Sequence, residues 1–334
     1  MTSENNSLLL NLQEVDKTTG EVVKLDVNST STVQPVALMR LGLFVPTLKS
    51  TGKSKANRKN VTDATEELVQ LSIAKSEGYT DVKITGSRLD MDTDFKVWLG
   101  IIRSMSEYGV KVTPWNCRSS NSLRCADLTP VVQTKMRDRI SNSLFKLASV
   151  TLKFQSETKG WTTHLVQSAY YDITEDIVEI KAEPKLFELY HMDRRVLLRL
   201  KAIDALQRKE SARALYTYIE SLPQNPAPIS MKRMRDRLNL TSNVYTQNHT
   251  VRKAMEQLRD IGYLDYTEFK RGRATYFSVH YRNPKLISGP VKVPRKEKKE
   301  APEQNYDEVI KALKAAGIDP LKLAEALSAM KPEN

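Results

Sequence analysis

The hydrophobic pattern of this chain changes from a helical to an extended period at two places, and this change restricts the fold more than any other feature. Apolar residues recur at three- and four-residue spacing in 92–107 and again in 136–147, which is typical of amphipathic helices. They then alternate with polar residues, which predicts strands at 150–154, 163–169 and 177–180. Helix, helix and hairpin is the order of a winged-helix domain.

The same order recurs closer to the C-terminal end. The predicted elements are a helical pattern at Arg194–Leu222 with a break near Arg208, a short helix at Ser230–Leu238, a helix at Gln247–Ile261, and strands at Leu264–Phe269 and Ala274–Tyr281. A turn rich in Asn, Thr and Ser separates the last two helices, and Gly262 ends the second of them. This segment therefore reads as a helix-turn-helix with an appended β-hairpin.

These patterns predict an α+β fold that is mostly helical, with two tandem winged-helix domains. A chain of 334 residues is long enough for both. We expect the first domain at 61–190 and the second at 191–285. Residues 1–60 are predicted to be a largely flexible segment, except for a docked apolar island at Val36–Val45. Residues 286–334 are predicted to be a basic linker followed by a short helical tail.

The charge of the chain indicates an anionic partner. Lys and Arg number 52 against 40 Asp and Glu, a formal net charge of +12, and such an imbalance usually serves a polyanion or an anionic membrane. Because no run of eighteen apolar residues is present, we expect no membrane-spanning helix and no membrane partner. The two cysteines, Cys117 and Cys125, make neither a disulfide framework nor a four-ligand zinc site, which favours a cytoplasmic location.

The second predicted domain concentrates this charge. Residues 229–285 hold twelve Lys and Arg against five Asp and Glu, a net charge of +7. We expect the outer side of the 247–261 helix to contact base edges in a major groove and the hairpin tip to contact phosphates or a minor groove. The predicted DNA-binding residues are Asn248, His249, Arg252 and Lys253 on that helix, Arg271 and Arg273 at the tip, Lys232 and Arg233 on the preceding helix, and Arg137 and Arg139 in the first domain. A solvated basic face on a protein-binding winged helix is the alternative.

We expect no catalytic, cofactor or metal site. Thr51-Gly52-Lys53-Ser54 resembles the end of a phosphate-binding loop, but the position of its first glycine is occupied by Thr47. The four histidines are scattered and form no HxH or HExxH pair, which argues against a metal-dependent DNA-nicking enzyme.

Several long motifs resemble the RepA initiators of RepFIB-type plasmids and related phage-plasmids, which belong to the RepB-like winged-helix initiator family. The motifs are Thr32-Val-Gln-Pro-Val-Ala-Leu-Met-Arg-Leu-Gly42, Ile84-Thr-Gly-Ser-Arg-Leu-Asp-Met-Asp92, Ala214-Leu-Tyr-Thr-Tyr-Ile-Glu-Ser-Leu-Pro223 and Ala254-Met-Glu-Gln-Leu-Arg-Asp-Ile-Gly-Tyr-Leu-Asp265. The resemblance covers roughly residues 30–285.

The resemblance implies a plasmid replication initiator that binds direct repeats, called iterons, at an origin of double-stranded DNA. It also implies opening of AT-rich DNA and recruitment of host replication proteins and chaperones. Monomers of the family bind iterons, whereas dimers are inactive or repress the initiator's own gene, and the first winged helix supplies the dimer contact. A winged-helix transcriptional repressor without a replication role is the alternative function.

Residues 113–134 interrupt this resemblance, which resumes at Met136. The segment has no helical period and carries a proline near each end. Permitted codons for it, read one register out of frame, spell Leu-Glu-Leu-Pro-Phe-Val-Glu-Phe-Ala-Lys-Met-Cys-Gly-Phe-Asp, which resembles the corresponding helix of the relatives. We therefore hypothesise two compensating frameshifts bounded near Val112 and Lys135. The alternative is divergence or an insertion tolerated as a loop.

Overall fold

The structure is a computed structural model of the chain. It describes residues 12–15, 22–25, 27, 30–47, 61–63, 79–108, 115–118, 134–172, 177–183, 186, 189–190 and 195–286. The chain divides into two compact units, Met1–Pro290 and Val291–Asn334. The second unit lies outside the described residues, as do the predicted linker and tail from residue 287 onward. Most of the predicted flexible N-terminal segment also lies outside them. The predicted domain boundaries stay predictions.

The described helices are α1 Val36–Arg40, α2 Asp94–Tyr108, α3 Thr134–Ser149, α4 Leu200–Ala205, α5 Glu210–Ser221, α6 Met231–Leu238 and α7 Val244–Asp260. The described strands are β1 Leu12–Val15, β2 Val22–Leu25, β3 Ser31–Pro35, β4 Phe44–Val45, β5 Val61–Asp63, β6 Asp81–Thr85, β7 Leu89–Asp90, β8 Trp115–Arg118, β9 Thr151–Gln155, β10 Gly160–His164, β11 Val166–Asp172, β12 Ile177–Ala182, β13 Arg195–Arg199, β14 Ile229–Ser230, β15 Leu264–Arg271 and β16 Ala274–Arg282. The prediction of a mostly helical fold is not confirmed, because helices and strands contain nearly equal numbers of the described residues, and this part of the chain is mixed α/β.

In the C-terminal half of the described unit, three helices pack against a small sheet. Helix α5 is buried on nearly all sides, and its Tyr216 and Tyr218 are among the largest fully buried side chains. The sheet has the order β14-β16-β15, and both of its strand pairs are antiparallel. A helix-turn-helix followed by this hairpin has the winged-helix arrangement that the sequence predicts.

Local signals set the ends of the two helices in this helix-turn-helix. The Ser230 side chain accepts a hydrogen bond from the Arg233 amide and caps α6, and Asn239 ends α6 in the left-handed conformation at φ 45°. The Asn243 side chain accepts a hydrogen bond from the Thr246 amide and caps α7. Helix α7 therefore begins at Val244, one turn earlier than the apolar pattern predicts.

The predicted helical pattern at Arg194–Leu222 is partly wrong. Residues 195–199 form β13, which pairs antiparallel with β3. In β13 the buried side chains alternate, since Val196 and Leu198 face the core. Arg208 adopts φ 62° between α4 and α5, so the predicted break lies where the sequence places it.

The apolar island forms α1 and β4, directly after β3, and it is almost completely buried. Two arginines, one outside the island and one within it, join it to the second winged helix. Arg237 of α6 donates to the carbonyl oxygens of Met39 and Phe44, both at 3.0 Å, and Arg40 donates to the Ser221 carbonyl oxygen at 2.7 Å. The island is thereby fixed to the second winged helix.

The N-terminal half of the described unit contains α2, α3 and two sheets, of order β10-β9-β6-β5 and β11-β12-β8. The prediction of one strand at 163–169 is wrong. The chain leaves the first sheet at His164 and enters the second at Val166, with Leu165 buried between them. Of the segment 113–134, the structure describes the backbone of Trp115–Arg118, which pairs with β12, and the first residue of α3.

Ionic contacts join α2 to α3. The Asp90 Oδ1 atom accepts hydrogen bonds from the backbone amides of Asp92, Thr93 and Asp94 at the start of α2. The Lys146 Nζ atom on α3 lies 3.2 Å from Asp90 Oδ2 and 2.9 Å from Asp94 Oδ2. Burial and the neighbouring Asp90 raise the pKa of Asp94, which lies inside this cluster.

Candidate nucleic-acid interface

Helix α7 presents one face to the core and the opposite face to solvent. Val251, Ala254, Met255 and Leu258 are buried. Arg252, His249 and Lys253 lie on the other side, whereas Asn248, one turn before Arg252, lies at the boundary between the two sides. We call these four residues the reading face. The structure therefore brings together the four residues that the sequence predicts on this helix.

The members of the reading face differ in exposure. His249, Arg252 and Lys253 are exposed, whereas Asn248 is half-buried. The Asn248 Oδ1 atom is shielded from solvent and accepts no hydrogen bond from a residue that the structure describes. An asparagine amide binds an adenine edge through both its donor and its acceptor. Because the Asn248 Oδ1 atom is shielded, such a contact needs rotation of the side chain.

Arg252 is held by an acidic residue of the neighbouring hairpin. Its Nε donates to Glu268 Oε1 at 2.9 Å, and its Nη2 donates to the same oxygen at 2.8 Å. This hydrogen bond to Glu268 raises the pKa of Arg252, which stays charged. Sequence reasoning missed Glu268, because the pair joins a helix to a strand and has no local signature.

The hairpin β15–β16, which we call the wing, carries its positive charge at the tip. Lys270 pairs with Thr275 and Arg271 with Ala274, so that Gly272 and Arg273 form the turn. Gly272 has φ 60°, a conformation that glycine adopts without strain. Arg271 and Arg273 are exposed there. Below the tip, the rings of Phe269 and Tyr276 stack at 5.8 Å and stiffen the hairpin.

The two predicted contacts on α6 differ in exposure. The Lys232 Nζ atom lies in solvent, 3.7 Å from Asp236 Oδ2 one turn later. Arg233 is half-buried, with its guanidinium 5.6 Å from the centre of the Tyr218 ring. A cation over an aromatic face gains from the ring quadrupole, so Arg233 also contributes to packing.

The basic residues of 229–285 do not all face solvent. Arg237 is 4% exposed and binds backbone carbonyls of the apolar island. Arg282 donates to the carbonyl oxygens of Ile219 and Pro223, and Arg259 lies 4.0 Å from the centre of the Tyr266 ring. A charge count from sequence therefore overstates the positive charge available to DNA.

Of the two arginines predicted in the first winged helix, Arg139 is paired within the fold. Its Nη2 lies 3.4 Å from Asp92 Oδ2 and also donates to Thr93 Oγ1. It joins α3 to the start of α2. The Arg137 side chain lies outside the described residues.

The described residues also bear on metal binding and on membrane insertion. No group of three or more His, Cys, Asp or Glu among them is placed to hold a metal ion. None of the described helices is both long and apolar enough to cross a membrane.

Comparison with known proteins gives the family. Residues 122–220 match the family described as Initiator Replication protein, WH1. RepFIB replication protein A of Salmonella typhi is 54% identical over 295 residues, which cover 87% of this chain and 89% of that protein. Replication protein RepA of Salmonella typhi is 53% identical over 304 residues, which cover 90% of this chain and 86% of that protein. Domains 2 and 3 of RctB superpose with a TM-score of 0.44 at 11% identity, over 74% of this chain and 98% of the other. The chain therefore belongs to the RepA-type plasmid replication initiators.

Proposed function

We propose that this initiator binds direct repeats at its plasmid origin, with α7 in the major groove and the wing along the backbone. The observation that carries the proposal is the position of the reading face. It lies on the solvent side of a capped helix of 17 residues, whose opposite side packs in the core, and Glu268 of the wing contacts it. Arg252 keeps three of its five N–H groups without a hydrogen bond to any described residue.

The proposal extends to a site read by both winged helices of one monomer. Contacts between the two halves of the described unit support a fixed spacing. Arg213 of α5 is fully buried and donates to the Met91 carbonyl oxygen at 2.6 Å, and Arg88 donates to the carbonyl oxygen of Leu238 in α6 at 3.5 Å. Trp98 of α2 donates to Gln34 Oε1 at 2.9 Å. Two unlike readers about one helical turn apart suit an asymmetric repeat of roughly two turns.

Origin opening, recruitment of host replication proteins and chaperones, and repression of its own gene by a dimer complete the proposal. A symmetric operator suits a two-fold dimer, whereas an asymmetric repeat suits a monomer with two unlike modules. A shift between monomer and dimer would then switch the protein between initiation and repression.

DNA footprinting of the full chain on its own replicon tests the first step. We expect protection of several direct repeats. We also expect strand opening next to them, which permanganate reactivity measures. Arg252→Ala and Asn248→Ala should each weaken binding to a repeat by about 1–3 kcal/mol and weaken binding to random DNA much less. Equal losses on both DNAs would contradict base reading by α7.

Support of replication in trans separates an initiator from a repressor. A plasmid that carries the origin without the gene should replicate only when this chain is supplied. Binding and repression without replication would favour the repressor. Nicking of supercoiled origin DNA in the presence of Mg²⁺ would instead indicate an enzyme.

A further inference from the structure

The first turn of α7 carries two exposed apolar side chains. Tyr245 is 85% exposed and Val244 is 57% exposed. Among the described residues, Tyr245 is the most exposed of the large hydrophobic side chains. The core does not account for either residue, because the buried positions of α7 begin at Val251.

Tyr245 extends the reading face by one turn, and Val244 lies at the edge of that face nearest the core, two turns before Val251. Val244 lies four residues before Asn248, and Tyr245 lies four residues before His249, so each belongs to the same row of the helix as its successor. They lie at the N-terminal end of α7, and in a helix-turn-helix the N-terminal residues of the second helix contact base edges. The cap at Asn243 fixes this turn as helix, so the Cα–Cβ bonds of both residues have defined directions.

The major groove offers one apolar group on its base edges, the C5-methyl of thymine. The surroundings of Val244 and Tyr245 favour DNA over an apolar protein surface as the partner. Arg252 and Lys253 lie on the same face of α7, and the wing tip adds Arg271 and Arg273. A polyanion is attracted to such a surface, whereas an apolar protein partner would have to desolvate the charges.

We propose that Val244 and Tyr245 determine part of the sequence specificity by packing against C5-methyl groups of thymines in the bound repeat. This inference rests on the proposed function and adds the chemical feature of the site that is read. Removal of one methyl group from such a contact removes the hydrophobic burial of about one carbon atom, which corresponds to roughly a fourfold loss of affinity.

Replacement of thymine by deoxyuridine tests the inference, since it removes the methyl group and leaves every hydrogen bond in place. The probe is a duplex of the footprinted repeat with single uracil substitutions, titrated with the full chain. We expect about fourfold weaker binding at one to three positions. The variant Val244→Thr/Tyr245→Ser should bind the unmodified repeat more weakly and should lose the uracil penalty at those positions.

Tyr245→Phe is the matched control, because it keeps the ring and should keep the penalty. Both residues are exposed, so thermal unfolding of all variants should match that of the wild type. Uracil penalties below about 1.5-fold on a repeat that the wild type discriminates from random DNA would overturn the inference alone. Unchanged penalties in the double variant would also overturn it, and a loss of origin activity with unchanged penalties would assign the two residues to a protein contact. If the wild type does not discriminate the repeat from random DNA, the proposed function is contradicted as well.

Discussion

Arg252 on the proposed recognition helix and Glu268 on the wing form a two-point ion pair, with Nε–Oε1 and Nη2–Oε1 separations of 2.9 and 2.8 Å. The side chains of Arg252 and Glu268 are 44% and 31% exposed, so solvent screens the pair and its contribution to stability is small. Its consequence is geometric. Glu268 holds one edge of a planar guanidinium and leaves the other edge for a base.

The first prediction concerns Glu268→Ala. Removal of a negative charge from a DNA-facing surface should strengthen binding to random DNA, whereas loss of the hold on Arg252 should lower discrimination of the repeat by about tenfold. Competition titrations against random DNA measure this ratio. Glu256→Ala, on the same helix, removes the same charge from an exposed position and should leave the ratio unchanged. A similar ratio for both variants would mean that Glu268 acts through its charge alone.

The second prediction concerns the wing tip. The double substitution Arg271→Ala/Arg273→Ala should weaken binding to all DNA sequences. It should also reduce the magnitude of the slope of log affinity against log salt by about 1–2, because binding releases about one counterion fewer for each phosphate contact that is lost. A salt titration of the full chain measures the slope. An unchanged slope would mean that the wing tip does not contact DNA phosphates.

The third prediction concerns Arg237, which holds the apolar island. Arg237→Ala should lower the free energy of unfolding by about 3 kcal/mol, because the carbonyl oxygens of Met39 and Phe44 lose a charged donor inside the core. Urea unfolding measures this loss. Lys232→Ala on the same helix should change the free energy of unfolding by less than about 0.5 kcal/mol, since its side chain is 65% exposed. Similar effects of the two substitutions would contradict the structural role of Arg237.

The fourth prediction concerns the pH dependence of stability. Burial raises the pKa of Glu220 above its ordinary value, although the hydrogen bond from the Tyr263 hydroxyl lowers it. A raised carboxyl pKa means that the folded state binds the proton more tightly. The stability that this proton contributes is full below the unfolded-state pKa of about 4.3 and is lost as pH rises through the folded-state pKa.

Glu220→Gln should therefore gain stability relative to the wild type as pH rises from about 4 to 7. Urea unfolding of both proteins across this range measures the difference. A difference between Glu220→Gln and the wild type that shrinks with rising pH would contradict the prediction.

The fifth prediction concerns the segment 113–134. If two compensating frameshifts produced it, the codons of the gene, read one register out of frame, encode the helical peptide given above. Replacement of residues 114–128 by that peptide should then raise the temperature of thermal unfolding and increase affinity for the repeats. Codons that do not encode the peptide would end the hypothesis.

The sequence by itself determined the helix-turn-helix and the hairpin of the C-terminal half and the orientation of α7. Hydrophobic period is a local property, and Val251, Ala254 and Leu258 mark the core side of that helix whatever packs against it. The start of α7 was also predictable from the sequence, because Asn243 is a strong helix cap. The apolar pattern alone does not reveal this cap.

Tertiary structure alone decided which charged residues are exposed and which support the fold. Arg237 and Arg252 look alike in sequence, but one binds carbonyl oxygens of a segment near the N-terminus and the other binds a carboxylate of the wing. Residues 195–199 form a strand rather than a helix because Ser31–Pro35 lies beside them as a partner. Such contacts join residues far apart in the chain, and hydrophobic period and local propensity carry no information about them.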